Sequence, residues 1–291
     1  MKYIFKNRPV FTFLFITFAL SSIFYFLIIR TGKLESGLSL YVTALMWCPA
    51  ISAIITLKIL GRKISGLGWK WGKTKYQLWS YLVPLGYIFI GYMIIWLMGW
   101  GGFYNKVFVN EIAASFGFES LPNWMVILFF VILNGIFGMA GSAANALGEE
   151  IGWRGYLVPE LFSRFSYTKT SLITGIIWAV WHFPILLFAD YNSGTPAWFG
   201  LSCFSVLVIC VSFIATWFRC KSNSLWTGLI IHSSHNLFIQ GIFTPLTQKT
   251  DNSKYFIGEF GIVLPIVAFF FALYFWRRRS ELNKMSVDVA N

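Results

Sequence analysis

The sequence predicts an all-α, polytopic membrane protein, and three observations carry that expectation. Of the 291 residues 57% are apolar and only 12% charged, against about 25% charged in ordinary soluble domains. Apolar runs of roughly 20 residues, long enough to cross a bilayer core, recur along the whole length. The polar stretches between them are short, so residues 1–291 read as one membrane domain with no visible internal repeat.

Eight spans are expected, at Val10–Ile29, Leu38–Leu60, Leu78–Trp100, Trp124–Gly148, Thr170–Phe188, Trp198–Phe218, Asn223–Phe243 and Ile257–Trp276. The first follows Lys2, Lys6 and Arg8, as a signal peptide would. Its apolar length exceeds the roughly 7–15 residues of a signal core. The loose cleavage-site match Ala19-x-Ser21 also lies inside the run, so an uncleaved helix is expected. The fourth span is unusually polar in its second half, with Asn134, Ser142 and Asn145 before Glu149 and Glu150. Pro184 should kink the fifth and free a backbone carbonyl.

Charge placement predicts orientation. Segments on the N-terminal side of the membrane carry 18 of the 23 Lys and Arg residues, and the opposite loops carry 5. Cytoplasmic loops hold such an excess, so both termini are expected in the cytoplasm. The net charge of +12 follows from this topology and needs no nucleic-acid partner. Arg277, Arg278 and Arg279 suit anionic lipid headgroups. Cys48, Cys203 and Cys210 fall within spans and Cys220 at an edge, without a C-x-x-C pair. Small packing residues are expected there, not redox or zinc-thiolate chemistry.

Three polar clusters interrupt this apolar background: Glu149-Glu150-x-x-x-Arg154, Trp178-x-x-x-His182 and His232-x-x-x-Asn236. A charged group in a bilayer costs about 2.5–3.5 kcal/mol on insertion scales, so three clusters on three helices point to one buried polar site. Glu150 and Arg154, four apart, can pair along a helix. Glu149 is turned about 100° away and has no cation at i+3 or i+4, where Gly152 and Trp153 stand. A carboxylate without a cation among apolar groups suits a general base. The seventh span carries His232, His235 and Asn236 on one stripe, more polarity than helix packing requires. A solvated helix end at Glu149, a packing role for His182 and interhelical bonding for the stripe are the bland readings of each cluster alone.

Together the clusters resemble the CAAX-protease and bacteriocin-processing family, also called the Abi or type II CAAX prenyl endopeptidase family. The likeness rests on Leu147-Gly-Glu-Glu-Ile-Gly-Trp-Arg-Gly-Tyr156, on His182 in Trp-His-Phe-Pro and on His232-x-x-x-Asn236, in the family's order, and it covers a core at 124–243. One departure is Trp178, where the family often has phenylalanine; another aromatic is expected to serve as well. The resemblance implies a membrane fold whose polar cavity opens to the cytoplasm. It also implies hydrolysis of a peptide or membrane-protein substrate in the lipid bilayer, with Glu149 and His182 activating water, His232 and Asn236 binding the oxyanion, and Glu150 and Arg154 supporting the site. In a bacterium the membrane would be the plasma membrane. The family is commonly labelled metalloprotease, so Glu149, His182 and His232 as ligands to one Zn²⁺ stand beside a metal-free mechanism; there is no His-Glu-x-x-His helix.

Two other classes share these features: a membrane immunity or regulatory scaffold without turnover, and a proton-coupled transporter using the buried Glu and His as a relay. One difficulty attends the protease reading. Counted from Trp124, Glu149 lies about 38 Å along its helix, near the expected edge, whereas His182 and Asn236 lie deeper. A later start, a tilt or a kink near Gly138 and Gly141 would reconcile them.

Overall fold

The computed structural model describes residues 8–31, 39–189 and 194–282. Among these, α1 (Pro9–Thr31), α2 (Ser39–Leu60) and α3 (Thr74–Leu97) precede a short helix, α4 (Lys106–Phe116). Then follow α5 (Asn123–Glu150), α6 (Tyr167–Phe188), α7 (Ala197–Ser222), α8 (Leu225–Asn236) and α9 (Val263–Arg277). A two-residue antiparallel pairing of Gly102–Phe103 with Thr247–Gln248 ties the α3–α4 connection to the α8–α9 connection. The expected start of the second span at Leu38, and Lys2, Lys6, Lys33 and Lys284, lie outside the described residues.

Six helical segments are long and apolar enough to cross a membrane. The other two expected spans are shorter as regular helices. α8 changes after Asn236 to a π-helical segment, Leu237–Phe243. α9 begins at Val263, not Ile257, because residues 257–262 turn, with Gly258 at φ +74° and Ile262 bonded back to Tyr255. The stretch 101–122, expected as a loop, contains α4. Asn105 caps it by accepting from the amides of Val107 and Phe108, and Gly117 ends it in the left-handed conformation. The chain is an integral membrane protein of all-α architecture.

The basic segments meet at one end of the bundle. Arg62 pairs with Glu160 at 2.5 Å, Lys221 with Glu281 at 3.4 Å, and the Leu225 amide donates to the Gly68 carbonyl at 2.8 Å. Arg219 is buried there, donating to the carbonyls of Arg154 at 2.8 Å and Leu67 at 3.5 Å. At the other end Asn105 bonds Leu246, and Ser253 bonds Trp100. The charge asymmetry of the sequence therefore corresponds to two faces of the fold.

α5 explains the apparent depth mismatch. It does not stop at Gly148: it continues as a π-helical segment, Ile151–Leu157, and a last turn, Val158–Phe162. Glu149 thus lies inside a 40-residue helical run. Gly148 packs on the backbone of Met46 and Trp47, and Gly152 on Pro49, midway along α2. The expected edge position of Glu149 is corrected by this longer helix. The helix carrying the first motif passes into π-helix within it, between Glu150 and Arg154, and the helix carrying the third does so just beyond it, a local widening often found at functional sites. α6 runs through Pro184 to Phe188.

Candidate active site

Glu150 is the charged centre of the site. Its Oε1 accepts from Arg154 Nη1 at 2.7 Å and from His232 Nδ1 at 3.0 Å, with both members of the ion pair fully buried. The predicted Glu150–Arg154 pair is therefore present. The third partner, His232 on α8, could not be read from helix spacing. Close approach depends on Gly228, one turn before His232: a Cβ there would sit 2.6 Å from Glu150 Oε2 and 3.0 Å from the Arg154 stem. The Arg154 guanidinium lies over the Trp178 ring at 4.2 Å, a cation–π contact that helps to accommodate a buried charge.

Glu149, one residue earlier, is 1% exposed and has no Lys or Arg at ion-pair distance among the described residues. It is not unpartnered, however. Its Oε2 accepts from the indole N–H of Trp178 at 2.7 Å and of Trp153 at 3.3 Å. Both indoles stand at helical spacings visible in the sequence, Trp153 four after Glu149 and Trp178 four before His182. The expectation that Trp178 merely replaces one aromatic with another is thus incomplete, since a phenylalanine has no N–H to give. Trp178 also packs edge-on to His232 at 5.1 Å between ring centres.

His182 is half-buried, against Trp181 and Phe204. Its Nδ1 lies 2.9 Å from the Trp178 carbonyl. A carbonyl only accepts, so Nδ1 carries the proton and the neutral ring keeps its lone pair on Nε2. On α8, His235 belongs to a second cluster. Its Nδ1 bonds the Tyr87 hydroxyl, its Nε2 lies 3.6 Å from Glu259 Oε1, and Gln240 Nε2 donates to that same oxygen at 3.0 Å. Tyr87, Gln240 and Glu259 escaped the sequence reading. Glu259 had left one signal, a carboxylate inside the expected eighth span, where it would be costly without partners.

A cavity of about 500 Å³ joins these groups. Glu149, His182, His232 and Asn236 all line it, with Asn145, Trp178, His235, Gln240 and Glu259. Apolar side chains of α2, α6 and α7, among them Met46, Ile185 and Val208, complete its walls. Glu150 and Arg154 stand behind that wall. The four residues expected to do chemistry share one space, and the two expected to support it touch it through His232 and Trp178.

Among the described residues no three His, Cys, Asp or Glu side chains are grouped closely enough to hold an ion. His232 Nδ1 bonds Glu150 and His182 Nδ1 bonds the Trp178 carbonyl, bonds that use Nε2 of neither ring, and Glu149 Oε2 accepts from two indoles. The chemistry this arrangement offers is a carboxylate lining the cavity, a histidine whose Nδ1 proton is fixed by a carbonyl, and a histidine held by the Glu150 carboxylate.

Residues 120–238 match the model of a family described as type II CAAX prenyl endopeptidase Rce1-like. That segment is similar to the family over well under half of the chain. The match contains all three motifs and ends two residues beyond Asn236. The chain is also 30% identical over 167 residues to CAAX prenyl protease 2 of Methanococcus maripaludis, an alignment covering 55% of this chain and 54% of that protein. The chain thus matches about half the length of this curated relative. The Rce1-like core coincides with α5 through α8, whereas Tyr87 and Glu259 lie outside it.

Proposed function

We propose that the protein is an intramembrane endopeptidase that hydrolyses a peptide bond of a membrane-associated or lipidated protein by glutamate-activated water. The observation that carries this reading is the convergence of Glu149, His182, His232 and Asn236 on one buried cavity within an Rce1-like core. The two indoles hold Glu149 Oε2, leaving Oε1 to take a proton from water positioned with the help of the His182 Nε2 lone pair. The water oxygen bonds to the scissile carbonyl carbon. His232, as an imidazolium paired with Glu150, donates from Nε2 to the oxyanion, and the Asn236 amide donates beside it. Collapse breaks the C–N bond, and the proton held by Glu149 passes to the leaving nitrogen. A positioned base contributes roughly 10²–10⁴-fold, and one oxyanion donor roughly 10²–10³-fold.

No step uses a metal, and chelators are expected to leave turnover unchanged. The basic face, carrying 58–77 and the ends of α5, α7 and α9, is cytoplasmic in this reading, with both termini on that side and the cavity opening toward it. In a bacterial cell the membrane is the plasma membrane. Reporter fusions in the 58–77 loop test the orientation; an external reporter there overturns it. The decisive test of chemistry is purified Glu149→Gln. It keeps the size and polarity of the side chain while removing the base, so a folded protein with roughly 10²–10⁴-fold slower hydrolysis is expected. Full hydrolysis by that variant would sink the glutamate mechanism.

A further inference from the structure

We propose that the groove between α3, α7 and α9 binds one anionic phospholipid, with its phosphate headgroup at Lys75, Lys221 and Arg278 and an acyl chain along the aromatic wall further in. No residue lines both this groove and the catalytic cavity, so the site stands whether or not the chain is a peptidase. Three observations lead to it.

First, the groove has the polarity of a lipid. It encloses about 750 Å³. α3 contributes Lys75 and Val83 to its wall; α9 and the turn that ends it contribute Phe270 and Arg278. Each pair is eight residues apart, about 12 Å along a helix. Each runs from a cation at the basic end of the bundle to an apolar side chain further in. The two walls agree in direction, so the groove changes once, from charged to apolar. Trp79, Phe270 and Tyr274 are exposed along it, which opens it sideways to the bilayer.

Second, the mouth carries unbalanced positive charge. Lys75, Lys221 and Arg278 line it against one carboxylate, Glu281. Glu281 accepts from Arg278 Nε at 2.6 Å and Nη2 at 3.0 Å and lies 3.4 Å from Lys221. One carboxylate thus gathers two cations, and Lys75 has no acidic partner within 4.0 Å among the described residues. The Arg278 guanidinium is also placed by aromatic neighbours: it lies over the Trp217 ring at 5.0 Å and donates to the Tyr274 hydroxyl at 3.0 Å. The Trp217 indole in turn donates to the Arg278 carbonyl at 3.2 Å. Trp and Tyr beside basic residues are the usual furniture of the headgroup level.

Third, the groove selects among equal charges. Arg277, Arg278 and Arg279 are adjacent, yet only Arg278 lines it. Arg277 is exposed, and Arg279 lies over Trp276 at 3.9 Å and donates to its carbonyl. A diffuse attraction between a basic segment and an anionic surface would use all three alike. A built site uses one.

The test measures equilibrium binding of tritium-labelled dioleoylphosphatidylglycerol to the purified full chain in an uncharged detergent. Binding should saturate at about one lipid per chain. Unlabelled dioleoylphosphatidylglycerol should displace it at a concentration at least about tenfold lower than dioleoylphosphatidylcholine, whose identical chains carry a choline cation that meets the basic mouth. Glycerol 3-phosphate and inorganic phosphate lack the chains and should leave the label in place. Displacement by either at the concentration where the phospholipid acts would assign the mouth to a free phosphate and overturn the lipid site. Equal displacement by the two phospholipids overturns it as well.

The variants separate a site from general electrostatics. Lys75→Gln and Arg278→Gln should each weaken binding about fivefold or more, the effect of one basic residue beside an anionic headgroup. Arg277→Gln removes the same charge next to Arg278 and should stay within about twofold of the unaltered chain. Equal losses in Arg277→Gln and Arg278→Gln would reduce the groove to a diffuse basic surface and overturn the proposal. Lys75 is exposed, so Lys75→Gln against Arg277→Gln gives the same decision where Arg278→Gln fails to accumulate.

Discussion

His232 and His235 stand three residues apart on α8, each beside a buried carboxylate, yet their surroundings differ. His232 meets Glu150 at 3.0 Å, and Glu150 is neutralised by Arg154 at 2.7 Å. His235 meets Glu259 at the longer distance of 3.6 Å, and its supporters, Tyr87 and Gln240, are neutral. The first assembly is closed on itself: Glu150 is shared by Arg154 and His232, a glycine lets two helices touch, and an indole covers the guanidinium. The second leaves a carboxylate without a full counter-charge, facing two pockets. The two histidines of one helix thus meet differently supported carboxylates in one cavity.

The largest expected effect comes from opening the closed assembly. Glu150→Ala or Arg154→Ala leaves an uncompensated charge in a fully buried site, which costs about 3–5 kcal/mol when a buried pair is broken. Both single variants should accumulate poorly or melt early in detergent. The double variant should be milder than the sum, because neither charge is then left alone. Strict additivity in thermal melts would show that the two do not interact. Gly228→Ala should resemble the single variants, since its methyl would meet Glu150 at 2.6 Å.

The next effect separates the two histidines. His232→Ala removes the oxyanion donor of the proposed mechanism and should slow peptide hydrolysis roughly 10²–10³-fold. His235→Ala should slow hydrolysis less, because its ring bonds Tyr87 and Glu259 and no step of the proposed mechanism uses it. Equal losses in kcat would erase the distinction between the two histidines. A smaller loss in His232→Ala than in His235→Ala would reverse it.

The same contrast explains what was legible beforehand. The closed assembly is written largely at short range: Glu150 with Arg154, Glu149 with Trp153, Trp178 with His182, and His232 with Asn236 are all i, i+4 pairs on helices. Helical periodicity brings such pairs onto one face before any tertiary contact is known. The second cluster joins Tyr87 on α3, His235 on α8, Gln240 in the π-helical extension and Glu259 in the turn before α9. Its closest long-range link, Tyr87 to His235, spans 148 residues, and no local spacing encodes it. The same reason explains the depth error at Glu149. Apolar runs mark where a helix enters lipid, but Ile151–Phe162 continues the helix past two adjacent carboxylates and through Arg154, Pro159 and Glu160, packed on α2. Six of the eight expected spans are helices long and apolar enough to cross a membrane; the last two are interrupted or shortened, since hydropathy does not see a change to π-helix or a turn built largely from apolar residues.

The smallest expected effect is the most specific to this chain. Trp178→Phe keeps an aromatic face beneath Arg154 and an edge against His232, so folding should survive. It removes the 2.7 Å indole N–H bond to Glu149 Oε2 and leaves only the 3.3 Å contact from Trp153. A hydrogen bond to a charged acceptor is worth about 1.5–3 kcal/mol, but Trp153 can take up part of the loss by moving closer. The expected result is a fall of about tenfold in kcat with little change in KM, because the bond orients the base and not the substrate. Steady-state kinetics on the purified variant, with its melting temperature as a control for folding, checks this. An unchanged kcat would mean that the indole is there to cover Arg154 alone, and that Glu149 is aligned by its place on α5 and by Trp153. A fall in kcat matched by an equal fall in thermal stability would assign Trp178 to the closed assembly instead of to the base, sharpening where holding ends and chemistry begins.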